Sequence, residues 1–481
     1  MNRTFRSLRV RNYRLFASGQ VVSLTGTWMQ RVSQDWLVTE LTHTSGTAGT
    51  SLGFTTALQF LPLLLFGLYG GMIADRFPKR RILLFTQSSM CVLAVTLGIL
   101  DVSGLVTLWE VYVLAFLLGV ATAVDSPTRQ AFVIEMVGPD DVVNAVGLNS
   151  ATFNTARVVG PAVAGLLISL VGTGTVFLLN ACSFAAVLGS LLAMRDSELF
   201  SARPVARARR QLRAGLAYVR GRPALYLPII LAGVIGTLGF NFQITLVLMD
   251  RTVFHLGAGA YGLLSSALAV GSLAGALLAA RRGRPRLRLL VGAALAFGIF
   301  EVLCGLMPTY DALALLLLPT GAISLTFSTT ANSSVQLASE QSMRGRVMGL
   351  YMLVFAGGTP FGAPLVGWLA QTYGARWSFW VGGGASALAA LSIGALLLWW
   401  RRDQLAGARL SRMRRSGQSG TRRPEDYPAL APVGGGSEGA DAVSAAEVAE
   451  LATERDPANP DPEEEEGSTT GASRSGASSQ G

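Results

Sequence analysis

Long apolar runs alternate with short polar connections through the first 400 residues of this chain. The runs fall at 14–39, 48–74, 81–100, 107–127, 142–168 and 174–194, then at 224–249, 258–280, 287–307, 311–331, 346–370 and 377–400. Each approaches the ~20 residues an α-helix needs to cross a bilayer. The runs are continuous, whereas the strands of a membrane barrel show short alternating segments. The pattern predicts an all-α membrane protein with twelve transmembrane helices in two six-helix bundles, over 1–194 and 223–400. Between them lies 195–222, where RRQLRAGLAYVRGRPAL mixes arginines with Leu212, Leu216, Tyr218 and Val219. It reads either as a cytoplasmic amphipathic helix on the inner membrane surface or as a solvated linker. After Trp400 the chain is first basic, then rich in Gly, Ser, Ala and Pro with an acidic run at Glu463–Glu466. The segment 401–481 is expected to be a disordered cytoplasmic tail.

The two halves echo each other. Gly147, Gly160, Gly165 and Gly172 lie in VVNAVGLNSATFNTARVVGPAVAGLLISLVG, and Gly349, Gly362, Gly367 and Gly374 in RGRVMGLYMLVFAGGTPFGAPLVGWLAQTYG, each displaced by 202 residues. Such a repeat suits a carrier that opens to alternate sides, because two similar halves can rock against each other. Gly147, Gly160 and Gly165 are expected helix-packing positions, with Pro161 bending the fifth helix.

Composition supports the membrane reading. Of 481 residues, 51% are hydrophobic and 14% charged, with a mean hydropathy of +0.45. A soluble protein carries about 25% charged residues. The net charge of +10 does not imply nucleic acid, because the arginines are distributed among the connections. Lys79, Arg80 and Arg81, Arg129, the arginines of 195–222, Arg281, Arg282, Arg284, Arg286 and Arg288, and Arg344 and Arg346 fall on even-numbered connections. Odd-numbered connections carry few, with Arg251 and Arg376 the main exceptions. The positive-inside rule then puts both termini in the cytoplasm of a bacterial inner membrane. The opening MNRTFRSLRVRNYRLF is a cytoplasmic lead-in rather than a cleaved signal. Cys91, Cys182 and Cys304 lie in apolar runs and read as buried hydrophobes. His43 and His255 are far apart, so no metal site is implied. No cofactor, nucleophile–base set or Walker-type phosphate loop is indicated either.

Charge within the runs points to mechanism, since intramembrane charge is expensive and often functional. Asp35 follows Arg31 by one turn; it is either a reversible proton carrier or half of a permanent pair with Arg31. Glu301 is a second proton-coupling candidate, or a packing or outer-gate residue. Arg157 is a further charge. The connection after the second run reads Gly71-Met72-Ile73-Ala74-Asp75-Arg76-Phe77-Pro78-Lys79-Arg80-Arg81. Asp75 there needs a cation, and an ion pair formed on only one side of a transport cycle would act as a latch. In DSPTRQ at 125–130, Asp125 and Arg129 are spaced to pair on one helix face, and Arg129 is also a candidate partner for Asp75. The cytoplasmic gate is expected to comprise Gly71, Asp75, Arg76, Arg80, Asp125 and Arg129. In the second half, Gly275 to Arg282 keeps the glycine and the basic pair but has no acid.

GMIADRFPKRR resembles the loop between helices 2 and 3 of the major facilitator superfamily, with Pro78 in place of its second glycine. NYRLFASGQVVSLTGTWMQRVSQDWLV is similar to helix 1 of its drug and siderophore exporters, those related to the enterobactin exporter. The resemblance covers about 10–400 and implies the facilitator fold. It also implies that the acid matching Asp75 joins a charge network at the cytoplasmic gate. Gly147, Ala156, Gly160, Pro161, Ala164 and Gly165 resemble the helix 5 pattern of proton-driven exporters, with two glycines replaced by alanine. The coupling arginine of many drug–proton antiporters is missing: Ala115 stands at its position, and Leu118 where glutamine is usual. Helices 1, 4, 7 and 10 line the cavity in this superfamily. That implies Gln30, Gln34, Asn241, Gln243, Asn332 and Gln336 as polar lining, with Trp28, Phe240, Phe242 and Phe327 as apolar partners.

These observations lead to a monomeric secondary transporter whose partners are a small-molecule substrate, protons and the lipid bilayer, with no nucleic acid. The expected activity is proton-coupled efflux of a small amphiphilic solute (drug, siderophore or metabolite) by alternating access. The alternatives are nutrient uptake by facilitated diffusion or proton symport, and a non-transporting membrane sensor or scaffold.

Overall fold

The computed structural model describes residues 3–200, 211–280 and 286–418, and every regular element among them is helical. A short 3-10 segment, Arg3–Arg9, precedes α1 (Arg11–Leu41), α2 (Ala48–Arg76), α3 (Lys79–Val102), α4 (Leu108–Val137) and α5 (Val142–Leu192). Then follow α6 (Gln211–Arg220), α7 (Pro223–Val234), α8 (Phe242–Met249), α9 (Ala258–Ala280), α10 (Leu287–Leu306) and α11 (Tyr310–Ala338). The last three are α12 (Arg344–Gly357), α13 (Thr359–Tyr373) and α14 (Ala375–Gln418). The chain divides into two compact units, Met1–Gly407 and Ala408–Gly481. All contacts described below belong to the first. The expected tail beyond 418, the arginines of 201–210, and Arg281, Arg282 and Arg284 lie outside the described residues.

Among the described residues, ten helical stretches are long and apolar enough to cross a membrane. One of them, Pro139–Leu192, is broken at Gly172, where φ is +79°, so the predicted runs 142–168 and 174–194 flank the break. α1 is not among the ten, because the face it buries is polar: Gln20, Ser23, Gln30, Ser33, Gln34 and Asp35. Two predicted continuous helices are interrupted. The run 224–249 becomes α7, a π turn at Ile235–Gly239 and α8, and a second π turn follows it at Asp250–Phe254. The run 346–370 breaks between α12 and α13 at Gly358, with Pro360 in the first turn of α13. Proline there has no N–H to lose, since the first-turn donors are unpaired anyway.

The repeated glycines perform matching tasks. A Cβ at Gly160 would land 2.5 Å from Trp28 Cβ on α1, and one at Gly362 would strike the Thr237 carbonyl in the first π turn. A Cβ at Gly165 would meet the Ala258 carbonyl at 2.6 Å and Gly259 Cα at 3.0 Å, so α5 and α9 touch backbone to backbone. Its counterpart Gly367 touches Gly49 in the same way, joining α13 to α2. Gly172 and Gly374 both take positive φ, +79° and +102°, a region that only glycine enters cheaply. Gly147 corrects the expectation of packing: a Cβ there would meet nothing, and the same holds for Gly349.

One end of the first half is sewn together by charge. Lys79 pairs with Glu135 at 2.8 Å, Arg80 with Asp196 at 2.5 Å and Arg6 with Asp141 at 2.8 Å. Arg80 also donates to the Leu191 carbonyl at 2.8 Å, tying the connection after α2 to the end of α5. In the linker, α6 forms but docks on protein: Val219 is buried in the core, and Gly215 lies against Arg346 of α12. Arg222 pairs with Glu340 at 2.7 Å, and the Tyr218 hydroxyl accepts from the Glu340 N–H at 3.2 Å. The hydrogen bond from Arg222, followed by its charge, holds the Glu340 carboxyl below its ordinary value. A depressed carboxylate contributes stability above its unfolded pKa and loses it as pH falls through the folded value. Acidification below the ordinary carboxylate range should therefore loosen α6 from α12 in the wild type but not in E340Q. Hydrogen exchange of the 211–220 amides at graded pH reads this directly.

The repeat supplies a sharper prediction. G147A and G349A should be neutral or stabilising by ~0.5–1 kcal/mol, since alanine favours helix and nothing blocks its methyl. G165A and G367A should destabilise by ~1–3 kcal/mol, because backbone cannot move aside as a side chain does. Thermal unfolding of the four purified variants in detergent tests the opposite signs.

Candidate functional site

A cavity of about 330 Å³ lies between the two halves. The first half contributes Trp28, Arg31, Arg157 and Pro161; the second contributes Phe240, Phe242, Gln243, Tyr261, Ser265, Ser324, Ser328 and Phe355. Its size and its mixture of rings with a few polar groups suit a small organic solute. A second cavity, about 590 Å³, lies wholly in the first half and is lined by Gln30, Arg31, Gln34, Gln59, Asp125, Arg129, Asn149 and Asn154 among others. Arg31 borders both.

At the end of the molecule bearing the α1–α2 turn, the halves are bolted together. The Tyr261 hydroxyl of α9 donates to Asp35 Oδ2 of α1 at 2.8 Å. Arg251 donates from Nε to Thr39 Oγ1 at 3.1 Å, with its guanidinium 4.2 Å from the Trp36 ring centroid. Thr50 donates its N–H and hydroxyl to Gln371 Oε1, at 3.0 and 2.7 Å. With the two backbone seams, these contacts close this end. Asp35 and Arg31 attract each other without a direct ion pair among the described residues. Tyr261 instead presents its hydroxyl to Asp35 while lining the central cavity.

Toward the other end, Asp125 is the hub of a buried network. Its Oδ1 accepts from Thr86 Oγ1 and Gln87 Nε2 of α3, both at 2.8 Å. Its Oδ2 accepts from Arg129 Nε at 3.0 Å and from Nη2, while Arg129 Nη1 reaches Gln20 on α1. Three helices are thereby joined. The expected i,i+4 pair forms, but Arg129 is engaged by Asp125 and Gln20 rather than by Asp75. Asp75 is half-buried near the end of α2. Arg76 is exposed, with Phe77 6.0 Å from its guanidinium. The close approach near Gly71 falls on Gly70, whose added Cβ would be 3.2 Å from Val124 Cα.

The other expected residues divide. Gln30 and Gln34 line the second cavity, with Asn180 donating to Gln30. Gln243 lines the central one. Asn241 serves the backbone instead: its Nδ2 donates to the Thr237 carbonyl at 2.8 Å, where the π turn leaves acceptors open. On α11 the cavity lining is Ser324 and Ser328; Asn332 and Gln336 continue that face at four-residue steps beyond it. Phe327 is fully buried behind the lining against Phe240. Glu301 is buried between the first π turn and α14, and its Oε2 meets no donor. Asp250, absent from the expected set, is 0% exposed, and its carboxylate is approached by the Gly257 N–H. The predicted run stopped at 249, one residue short of the π turn that carries Asp250. Tyr261 was also missed, although it is the one aromatic residue in the small-residue sequence AGAYGLLSSALAV.

Helices that close around a two-sided cavity, with charge held at the junction, define a membrane carrier for a small solute. Over residues 2–411 the chain matches the family described as transmembrane secretion effector, and it belongs to that family within the major facilitator superfamily. The staphyloferrin A transporter of Staphylococcus aureus (strain NCTC 8325 / PS 47) is 30% identical over 175 residues, 36% of this chain and 43% of that protein. The match thus spans less than half of that relative. The enterobactin exporter EntS of Shigella flexneri is 25% identical over 364 residues, covering 74% of this chain and 84% of its own. The resemblance to the drug and siderophore exporter subgroup therefore holds along most of the chain. Solved structures share the fold. An inward-facing, unoccupied bacterial homologue of the human lysosomal transporter Spinster gives a TM-score of 0.64 at 13% identity, over 79% of this chain and 96% of that one. A D-xylose–proton symporter gives 0.61 at 15%, over 79% and 97%. The protein is an all-α secondary transporter of a small solute, and not an enzyme.

The Asp125 hub predicts a stability hierarchy. D125A leaves Arg129 without its carboxylate and should cost ~3–5 kcal/mol, as breaking a buried pair does. T86V and Q87L each remove one donor while Arg129 still pairs with Asp125, and should cost ~1–3 kcal/mol. Unfolding temperatures in detergent would rank the three.

Proposed function

We propose that this chain is a proton-coupled exporter of a small amphiphilic solute in a bacterial inner membrane, with both termini cytoplasmic. The chain crosses the bilayer twelve times, in bundles over 1–194 and 223–400, with the break at Gly172 separating two crossings and polar-faced α1 providing the first. Arg344 and Arg346 open α12 just after Glu340, and Lys79 to Arg81 open α3, so the basic end faces inward. The end bolted by Asp35–Tyr261 then faces out, and the described state is loaded from the cytoplasm. The observation that carries the reading is the hydrogen bond between Asp35 and Tyr261, which joins the two halves beside the central cavity.

Asp35 is the proton carrier. Outward opening must part it from Tyr261, exposing the carboxylate to the outer medium; closure returns the proton toward the cavity. Glu301 is a second candidate, remote from the seam. Asp125 and Arg129, with Gln20, hold the first bundle rigid at the cytoplasmic side, while Asp75 latches the gate after α2. Export rather than uptake rests on the family and on the staphyloferrin A and enterobactin relatives. The fold itself also serves a D-xylose–proton symporter.

Everted membrane vesicles distinguish the directions. An imposed acid interior should drive solute accumulation into them; accumulation indifferent to the gradient refutes the coupling. D35N should abolish gradient-driven movement while leaving substrate exchange within about threefold of wild type. A normal pH-dependent rate in D35N removes Asp35 as the carrier. D75N should slow turnover with little change in equilibrium binding, and unchanged turnover would sink the latch.

A further inference from the structure

The central cavity is lined by two arginines whose guanidinium donors meet no acceptor among the described residues. Arg31 of α1 and Arg157 of α5 both line it, and both lie over the same indole: their guanidinium carbons are 4.9 and 5.9 Å from the Trp28 ring centroid. A guanidinium offers five N–H donors. Among the described residues, neither arginine forms an ion pair or donates a hydrogen bond to the protein. The contrast with other arginines is marked. Arg80, Arg129 and Arg222 each find a carboxylate, and Arg251 finds a hydroxyl. Asp35, one turn from Arg31, attracts its charge but gives its Oδ2 to the Tyr261 hydroxyl, with no direct ion pair to the guanidinium. Two like charges thus share one ring at the cavity wall. The opposite wall supplies ring faces at Phe240, Phe242 and Phe355, and hydroxyls at Ser265, Ser324 and Ser328.

We infer that the cargo of this cavity is an organic anion, a carboxylate or phenolate on an aromatic or apolar body, clamped between Arg31 and Arg157. The anion accepts the idle guanidinium donors in the planar, two-pronged manner that suits arginine. Its body packs on the phenylalanine wall. This rests on the carrier reading for its biological meaning, but not for its chemistry.

The test uses three matched probes: 2-naphthoate, neutral 2-naphthamide and the (2-naphthyl)trimethylammonium cation. Binding to the purified full-length protein in detergent is measured by calorimetry. Naphthoate should bind at least tenfold more tightly than the amide, and the cation most weakly. R31Q and R157Q should each weaken naphthoate tenfold or more while changing the amide little, a differential that general misfolding would not produce. R31K and R157K, which retain charge but lose the fork, should recover part of the loss. Naphthoate affinity unchanged in the R31Q/R157Q double variant overturns the inference, as does a wild type that prefers the cation or binds no anion above the amide. Flux of the same probes across proteoliposomes separates the two proposals. Binding of naphthoate without flux supports the anion assignment and defeats the carrier reading. Flux of the cation but not of naphthoate does the reverse.

Discussion

The contact of bare backbone with bare backbone where the two halves meet governs the rest of the structure. Gly165 meets Ala258 and Gly259, and Gly367 meets Gly49, so α5 reaches α9 and α13 reaches α2 without intervening side chains. In a bilayer apolar helices gain little by leaving lipid for one another, and close approach of small residues is what makes such association favourable. Because the two contacts are related by the repeat, the halves meet along a balanced pair of seams. A cavity can then persist between them, since the seams and not the cavity walls carry the association.

Against this symmetric frame the polar chemistry is asymmetric. Asp35, Arg31, Arg157 and the Asp125 network lie in the first half; Tyr261, Arg251, Asp250 and Glu301 lie in the second, at unrelated positions. The side-chain bolts that cross the seam are weak enough to exchange, a hydrogen bond being worth ~0.5–1.5 kcal/mol net, or ~1.5–3 where one partner is charged. For an anionic cargo leaving a cell that is negative inside, the membrane potential contributes about 2.3 kcal/mol per charge per 100 mV. Under the proposed proton antiport, the proton gradient would add to a driving force already present.

Much of this was written in the sequence, and the exceptions have physical reasons. The apolar runs marked the helices because a membrane span must be both long and greasy. Glycine spacing marked the seams because no other residue permits such contact. Asp125 and Arg129 were legible because four residues make one helical turn. Other features depend on tertiary geometry that periodicity does not encode. Asp35 found its partner 226 residues away in Tyr261, and not one turn away in Arg31. Gly147 and Gly160 look alike as letters, yet one faces open space and the other faces Trp28. Asn241 reads as a polar residue in a lining helix, but a local break in that helix claims its amide for backbone.

That break has a consequence of its own. Each π turn flanking α8 accommodates one residue more than a regular α-helical ladder would. In an α-helix one residue corresponds to about 100° of rotation about the axis. The widened turn at Ile235–Gly239 therefore sets the azimuth of Phe242 and Gln243, and the one at Asp250–Phe254 sets the azimuth of whatever follows. Facing toward the cargo is thus fixed by winding as well as by residue type. A single-residue deletion in the first turn would swing the α8 wall around its axis with no side chain altered.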